Sequence, residues 1–297
     1  MMHRSFLRGK FIRIGRWCPL GGGRGCPPVP QGTFKPKTKG RRMLLQIRDV
    51  TKNFGGLTAL NHVDLAVNDQ KVFSIIGPNG SGKTTLFNSI FGIYKLDSGE
   101  IYFEGKNITK MKPHEICKLG IGRTFQNIRL FGSMTALENV MAGGHVHLAH
   151  GIQSRIIFSR SERLEEKKMR EKAASLIELV GLNKRIDFRA LELSYGEQRR
   201  LELARALASD PKILLLDEPC AGMNPQEKNE IISIIARIQR EKATSILLIE
   251  HDMKVVMNIS EYMAVLDFGF KIAEGTPEEI KNNPKVKEAY LGKENLT

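Results

Sequence analysis

Cysteine is scarce in this 297-residue chain. Cys18, Cys26, Cys117 and Cys220 are too few and too scattered for a disulfide framework, which leaves a reducing compartment as the expected setting. Cys18 and Cys26 have no other Cys or His nearby, so they do not read as a metal site. Long apolar runs are missing as well. Nothing approaches the roughly 18–20 residues of a membrane-spanning helix, so any link to a membrane would run through a partner. Acidic residues are absent from positions 1–42, which hold eleven Lys or Arg; of the net charge of +14, only +3 belongs to residues 43–297. The body of the chain is nearly neutral, and nucleic acid is not an expected partner.

Residues 1–42 contain GGGRG, PPVP and KPKTKG and almost no periodic apolar pattern. They read as a basic, disordered extension. FIRIGRWCPLGG has no uninterrupted apolar core, which excludes a clean signal peptide. Met43 follows directly and makes a natural start. A basic arm that touches anionic lipid or nucleic acid is the second reading of this segment.

With 41% hydrophobic residues, the chain can bury the core of one large α/β domain or two small ones. LLQIRDV alternates like an edge strand, HVDLAV follows as another, and VFSIIG reads as a short buried strand. That strand leads into GPNGSGKTT, spanning Gly77, Pro78, Asn79, Gly80, Ser81, Gly82, Lys83, Thr84 and Thr85. The match to G-x-x-x-x-G-K-[ST] comes with the required context, a strand before and the helix KTTLFNSIFGI after. Glycines let backbone N–H groups turn inward around phosphate oxygens, and a helix N-terminus adds positive potential. Lys83 suits the β- and γ-phosphates, and the Thr84 hydroxyl suits Mg²⁺.

KILLLDEP puts Asp217 and Glu218 at the carboxyl end of another buried strand, where ligands gather in open parallel sheets. Asp217 there can hold Mg²⁺ through water, and Glu218 can polarise an attacking water. SILLIEHDM is a third buried strand, with His251 just past its end and able to contact the γ-phosphate or the water. Gln126 follows the short strand IGRTF. LSYGEQRRLELARAL opens like a helix: Ser194 with Glu197 fits a capping box, and Leu201, Ala204, Leu207 and Ala208 recur at helical spacing. Gly196 sits in its first turn, where a glycine weakens the helix and has no evident packing role.

In their order, the P-loop, Gln126, LSYGEQ, ILLLDE and His251 resemble the ATPase subunit of ATP-binding cassette (ABC) transporters. LSYGEQ, Leu193 to Gln198, is similar to that family's signature motif. The resemblance implies a P-loop NTPase ABC ATPase domain over 43–297: an α/β fold with a mixed sheet core, an antiparallel β subdomain and a helical subdomain at about 127–210. It implies two subunits stacked head to tail around ATP and Mg²⁺. The signature helix of one, with Ser194, Gly196 and Glu197 at its tip, would then face the γ-phosphate held by the other. It gives Phe54 the place of the aromatic that stacks on adenine. It makes Glu218, His251 and Gln126 catalytic, and Thr84, Gln126 and Asp217 metal-holding. Asn224 stands where the family usually has Asp, and an amide cannot act as a carboxylate in a contact across the dimer.

GIGRTFQNIRLFGSMTALENVMAG, ILLLDEPCAGMNPQE and IEHDMKVVM further resemble the ATP-binding subunit of bacterial high-affinity branched-chain amino acid importers. Cys220 stands where that subfamily has a small residue. The implied partners are two membrane permease subunits, a second ABC ATPase subunit and, indirectly, an extracellular solute-binding protein. The implied location is the cytoplasmic face of the inner membrane. An ABC ATPase of a lipopolysaccharide-type exporter and a non-transport ABC ATPase are the alternatives; LSYGEQ argues against a P-loop kinase. His145, His147 and His150 lack a carboxylate or Cys to support a metal site.

Overall fold

The computed structural model describes residues 43–145 and 160–291. β1 (Met43–Phe54) and β2 (Leu57–Asn68) form a long hairpin, followed by β3 (Val72–Ile76) and α1 (Lys83–Ile90). Then come β4 (Ser98–Phe103), β5 (Lys106–Asn107), α2 (Pro113–Lys118) and β6 (Ile121–Arg123). Three helices follow: α3 (Ala136–Gly144), α4 (Arg160–Leu179) and α5 (Tyr195–Leu207). The chain continues through β7 (Ile213–Asp217), α6 (Pro225–Lys242), β8 (Ser245–Ile249) and α7 (Met253–Ile259). It closes with the hairpin β9 (Tyr262–Asp267) and β10 (Phe270–Gly275), then α8 (Pro277–Asn282) and α9 (Pro284–Leu291).

Two sheets result. One is antiparallel, in the order β2-β1-β4-β5; the other is mixed, in the order β10-β9-β3-β8-β7-β6, with only β10 antiparallel to its neighbour. β1 is therefore not the edge strand that its alternation suggests. It is paired on both sides, with β2 and with β4, and the edge falls to β2.

The apolar strands explain why the mixed sheet sits centrally. Ile213 and Leu215 of β7 face one core, shared with α1 and the antiparallel sheet, and Leu214 and Leu216 face a second, shared with α3, α5 and α6. β8 repeats the pattern, with Leu247 and Ile249 on the first side and Ile246 and Leu248 on the second. A strand covered on both faces has no polar side, which is why these segments read as unbroken apolar runs. Among the described residues, no helix is long and apolar enough to cross a membrane.

The predicted helix at LSYGEQRRLELARAL is α5, with Leu201, Ala204, Leu207 and Ala208 all buried. Its capping box is present: the Glu197 amide donates to Ser194 Oγ at 3.3 Å, and the Ser194 amide donates to Glu197 Oε2 at 2.9 Å. Gly196, however, does have a packing role. A Cβ there would lie 3.1 Å from Glu227 Oε1, so the bare backbone makes room for the first turn of α6. The helix after the P-loop is shorter than its sequence suggests, ending at Ile90.

Two stability measurements check this account. Gly82 has φ 102°, and an added Cβ would sit 2.4 Å from the Ala59 carbonyl oxygen. Gly82→Ala is expected to lower the unfolding free energy in urea by about 1–3 kcal/mol from backbone strain alone. Ser194→Ala is expected to cost about 1 kcal/mol without nucleotide, the usual effect of losing a helix cap. Unchanged unfolding midpoints would contradict these local geometries.

Candidate active site

The turn from β3 to α1 wraps around a cation. Lys83 is only 6% exposed. Its ammonium donates to the carbonyl oxygens of Gly77 and Pro78, both at 2.8 Å, and more weakly to Ser81 Oγ at 3.4 Å. Burial pulls the Lys83 pKa down, and the carboxylates of Glu218 and Asp217 oppose that shift. The N-cap of α1 is Gly82, which offers no side-chain cap, so the first amides of the helix remain open to a ligand. The loop is pinned from behind by the Gly269 amide, which donates to the Ser81 carbonyl at 3.1 Å.

A cleft of about 680 Å³ opens over this loop. Asn79, Gly80, Gly82, Lys83, Thr84 and Thr85 form its floor. Phe54 stands at one end, 41% exposed and in edge contact with Tyr94, with ring centroids 5.1 Å apart. Gln126, Glu218 and His251 line the same cleft. Pro78 and Ser81 belong to the loop that holds Lys83, and Ser81 is buried.

Glu218 is the meeting point of the polar side. Gln126 Nε2 donates to its Oε2 at 3.4 Å, and His251 Nδ1 lies 3.8 Å from its Oε1. The Glu218 backbone is left-handed, φ 49°, and its amide donates to the Ile249 carbonyl at 2.9 Å. The strand end thus holds the carboxylate in an uncommon conformation that turns it toward the cleft. Such a carboxylate can accept a proton from water. Asp217, just before it, is buried and paired with Arg123 at 3.2 Å. Burial pushes its carboxyl pKa up, and Arg123 opposes the rise.

Asp217 Oδ1 is buried without a hydrogen-bond partner. Thr84 and Gln126 line the cleft, and Asp217 lies beside Glu218 without lining it; each carries a hard oxygen donor of the kind that suits Mg²⁺. No group of three or more His, Cys, Asp or Glu assembles a metal site among the described residues. His145 is described; His147 and His150 lie outside the described residues.

Ser194, Gly196 and Glu197 are not brought into this cleft. They line a separate hollow of about 270 Å³ between the first turns of α5 and α6, together with Asn224 and Glu227. Asn224 caps α6, accepting from the amides of Gln226 and Glu227 at 2.9 and 3.0 Å. Burial opposes it, but the Ser194 amide and Arg185 still hold the Glu197 carboxyl below its usual range.

Four buried charges, Glu250, Arg199, Glu202 and Arg123, escaped the sequence reading. Glu250, 1% exposed, accepts from the Cys220 amide at 2.9 Å and from the His251 amide at 3.3 Å. It ties the loop after β7 to the loop that carries His251. Arg199, on α5, donates to the carbonyl oxygens of Phe125, at 2.8 Å, and Gln126, and pairs with Glu202 at 3.1 Å. Arg123 pairs with Asp217. A charge directly after an apolar run, Glu250 after SILLI, was the available signal; Asp217 lies 94 positions from Arg123, and the Phe125 carbonyl 74 positions from Arg199.

The "ABC transporter" family model matches residues 60–221, and a "Branched-chain amino acid ATP-binding cassette transporter" model matches residues 271–295. The chain is 44% identical over 251 residues to the high-affinity branched-chain amino acid transport ATP-binding protein BraF of Pseudomonas aeruginosa, covering 84% of this chain and 98% of that one. Its identity to LivG of Escherichia coli, which has the same description, is 43% over 249 residues, with the same two coverages. A crystal structure of an ABC transporter ATP-binding cassette in its ADP conformation superposes with a TM-score of 0.73 at 36% identity, covering 84% and 99% of the two chains. A dimeric post-hydrolysis cassette with bound ADP and Pi superposes with a TM-score of 0.67 at 27% identity, covering 79% and 99%. With a family model matched over more than half of its length and relatives of at least 43% identity over 84% of it, the chain belongs to the ATP-binding protein family of ABC transporters.

Proposed function

We propose that this chain is the ATP-hydrolysing subunit of an ABC importer for branched-chain or related amino acids. The observation that carries the reading is the cleft in which Lys83, held by its own loop, opposes Glu218, faced by Gln126 and His251. A polyphosphate entering the cleft gives Lys83 an anionic partner in place of two carbonyl oxygens. The open first turn of α1 contributes amide donors to the same anion. Phe54 presents an aromatic face to adenine.

Glu218 then takes a proton from the water that attacks the γ-phosphorus in line, while the β–γ bridging oxygen leaves with ADP. Gln126 and His251 position that water. Thr84, Gln126 and Asp217 would hold Mg²⁺, which would neutralise charge on the phosphate oxygens. The signature tip supports a site shared between two subunits. Ser194 and Gly196 lie apart from this chain's own cleft, so they are available to the phosphate of a second ATPase subunit, a copy or a related chain. In this reading two membrane permease subunits receive the motion at the cytoplasmic face of the inner membrane, and an extracellular solute-binding protein delivers the amino acid. Closed and open dimers bind ATP differently, and that difference couples hydrolysis to transport.

Two substitutions test the roles. Glu218→Gln is expected to retain ATP binding and lower turnover by about 10²–10⁴-fold, the usual contribution of a general base, while trapping the ATP-bound dimer on size exclusion. Normal phosphate release from that variant would remove Glu218 from its role. Lys83→Ala is expected to abolish binding of a fluorescent ATP analogue; unchanged affinity would mean that the loop does not hold phosphate.

A further inference from the structure

Asp217 does not stand alone at the end of β7. Arg123, at the end of the neighbouring strand β6, reaches across and donates through Nη2 to Asp217 Oδ2 at 3.2 Å. Both side chains are almost wholly buried, 3% and 1% exposed. The other arm of the guanidinium, Nη1, donates to Asn88 Oδ1 on α1 at 2.8 Å. The rings of Phe91 and Phe125 flank the guanidinium carbon at 5.9 and 5.1 Å. Arg123 is therefore clamped between the helix that follows the P-loop and the segment that leads to Gln126.

The carboxylate is left asymmetric by this contact. Oδ2 is committed to Arg123, while Oδ1 is buried with no partner. Within this pair Asp217 Oδ1 and Arg123 Nε are both buried without a partner, which leaves Oδ1 with its accepting capacity open to a ligand outside the chain. A planar fork anchored at two points can hold a carboxylate in one rotamer, which a flexible ammonium cannot do.

We propose that Arg123 is the positioning residue for the metal-holding aspartate: it fixes Asp217 so that Oδ1 is the oxygen presented to Mg²⁺. Asn88 anchors the guanidinium in turn, which ties the metal position to the first helix of the nucleotide site. This rests on the reading of Asp217 as a metal-holding residue. Removal of such an orienting partner typically costs about 10–100-fold in metal affinity.

The test measures binding, not turnover. The affinity of the full chain for a fluorescent ATP analogue is compared in excess Mg²⁺ and in EDTA; the ratio is the metal-dependent gain. For Arg123→Gln the gain is expected to fall by at least about tenfold, with affinity in EDTA unchanged and the half-saturating Mg²⁺ concentration raised by the same factor. Arg123→Lys, which restores the charge without the fork, recovers only part of the gain. Asn88→Ala, a milder change at a half-buried position, lowers the gain in the same direction and serves if Arg123→Gln does not fold. An unchanged gain in Asn88→Ala and in a folded Arg123→Gln overturns the proposal, as does an equal loss of affinity with and without metal. Asp217→Asn is the control that separates the two levels: a wild-type gain there means that Asp217 does not serve the metal, and the underlying reading fails first.

Discussion

A buried ammonium organises this molecule. Lys83 is held inside its own loop by two carbonyl oxygens and a hydroxyl, with no carboxylate of the described residues in hydrogen-bonding contact. Carbonyl dipoles hold a cation far less well than an anion does in a site of low dielectric. The strand that delivers the loop, the helix that leaves it and the acidic end of β7, two strands over, all serve that one position. β3, β8 and β7 lie side by side, so loops that are distant in sequence open at the same edge of the sheet. That edge exists because the apolar strands are covered on both faces and cannot move without exposing two cores at once.

The second constraint is that the signature helix is complete in itself. Ser194 and Glu197 satisfy each other, and Arg185 secures Glu197 at 3.1 Å. The same helix is linked to the opposite side of the nucleotide cleft through Arg199, which holds the backbone carbonyls of Phe125 and Gln126. The tip of α5 and the Gln126 segment are thus parts of one hydrogen-bonded unit. In the proposed cycle, displacement of one is felt by the other without any long chain of intermediates.

Much of this was legible from local pattern. The P-loop, the strand ending in Asp217 and the capped helix at Ser194 each depend on residues within a few positions, and short-range chemistry specifies them. What escaped depended on long-range pairing. β1 alternates like an edge strand, yet it lies between β2 and β4, because alternation reports which face is buried and not how many neighbours are bonded. Gly196 gave no local reason for its bareness; the reason is Glu227, brought near when α6 docks beside α5. Arg123, Arg199 and Glu250 looked like ordinary charges until the sheet placed their partners beside them.

In the proposed function the cleft recognises phosphate through Lys83 and the open helix start, with the base contributing less. Equilibrium binding of ATP, ADP, AMP and adenosine to the isolated chain, in the presence of Mg²⁺, tests it most directly. Affinity is expected to fall steeply between ADP and AMP and to vanish for adenosine. Adenosine binding as tightly as ATP would contradict it.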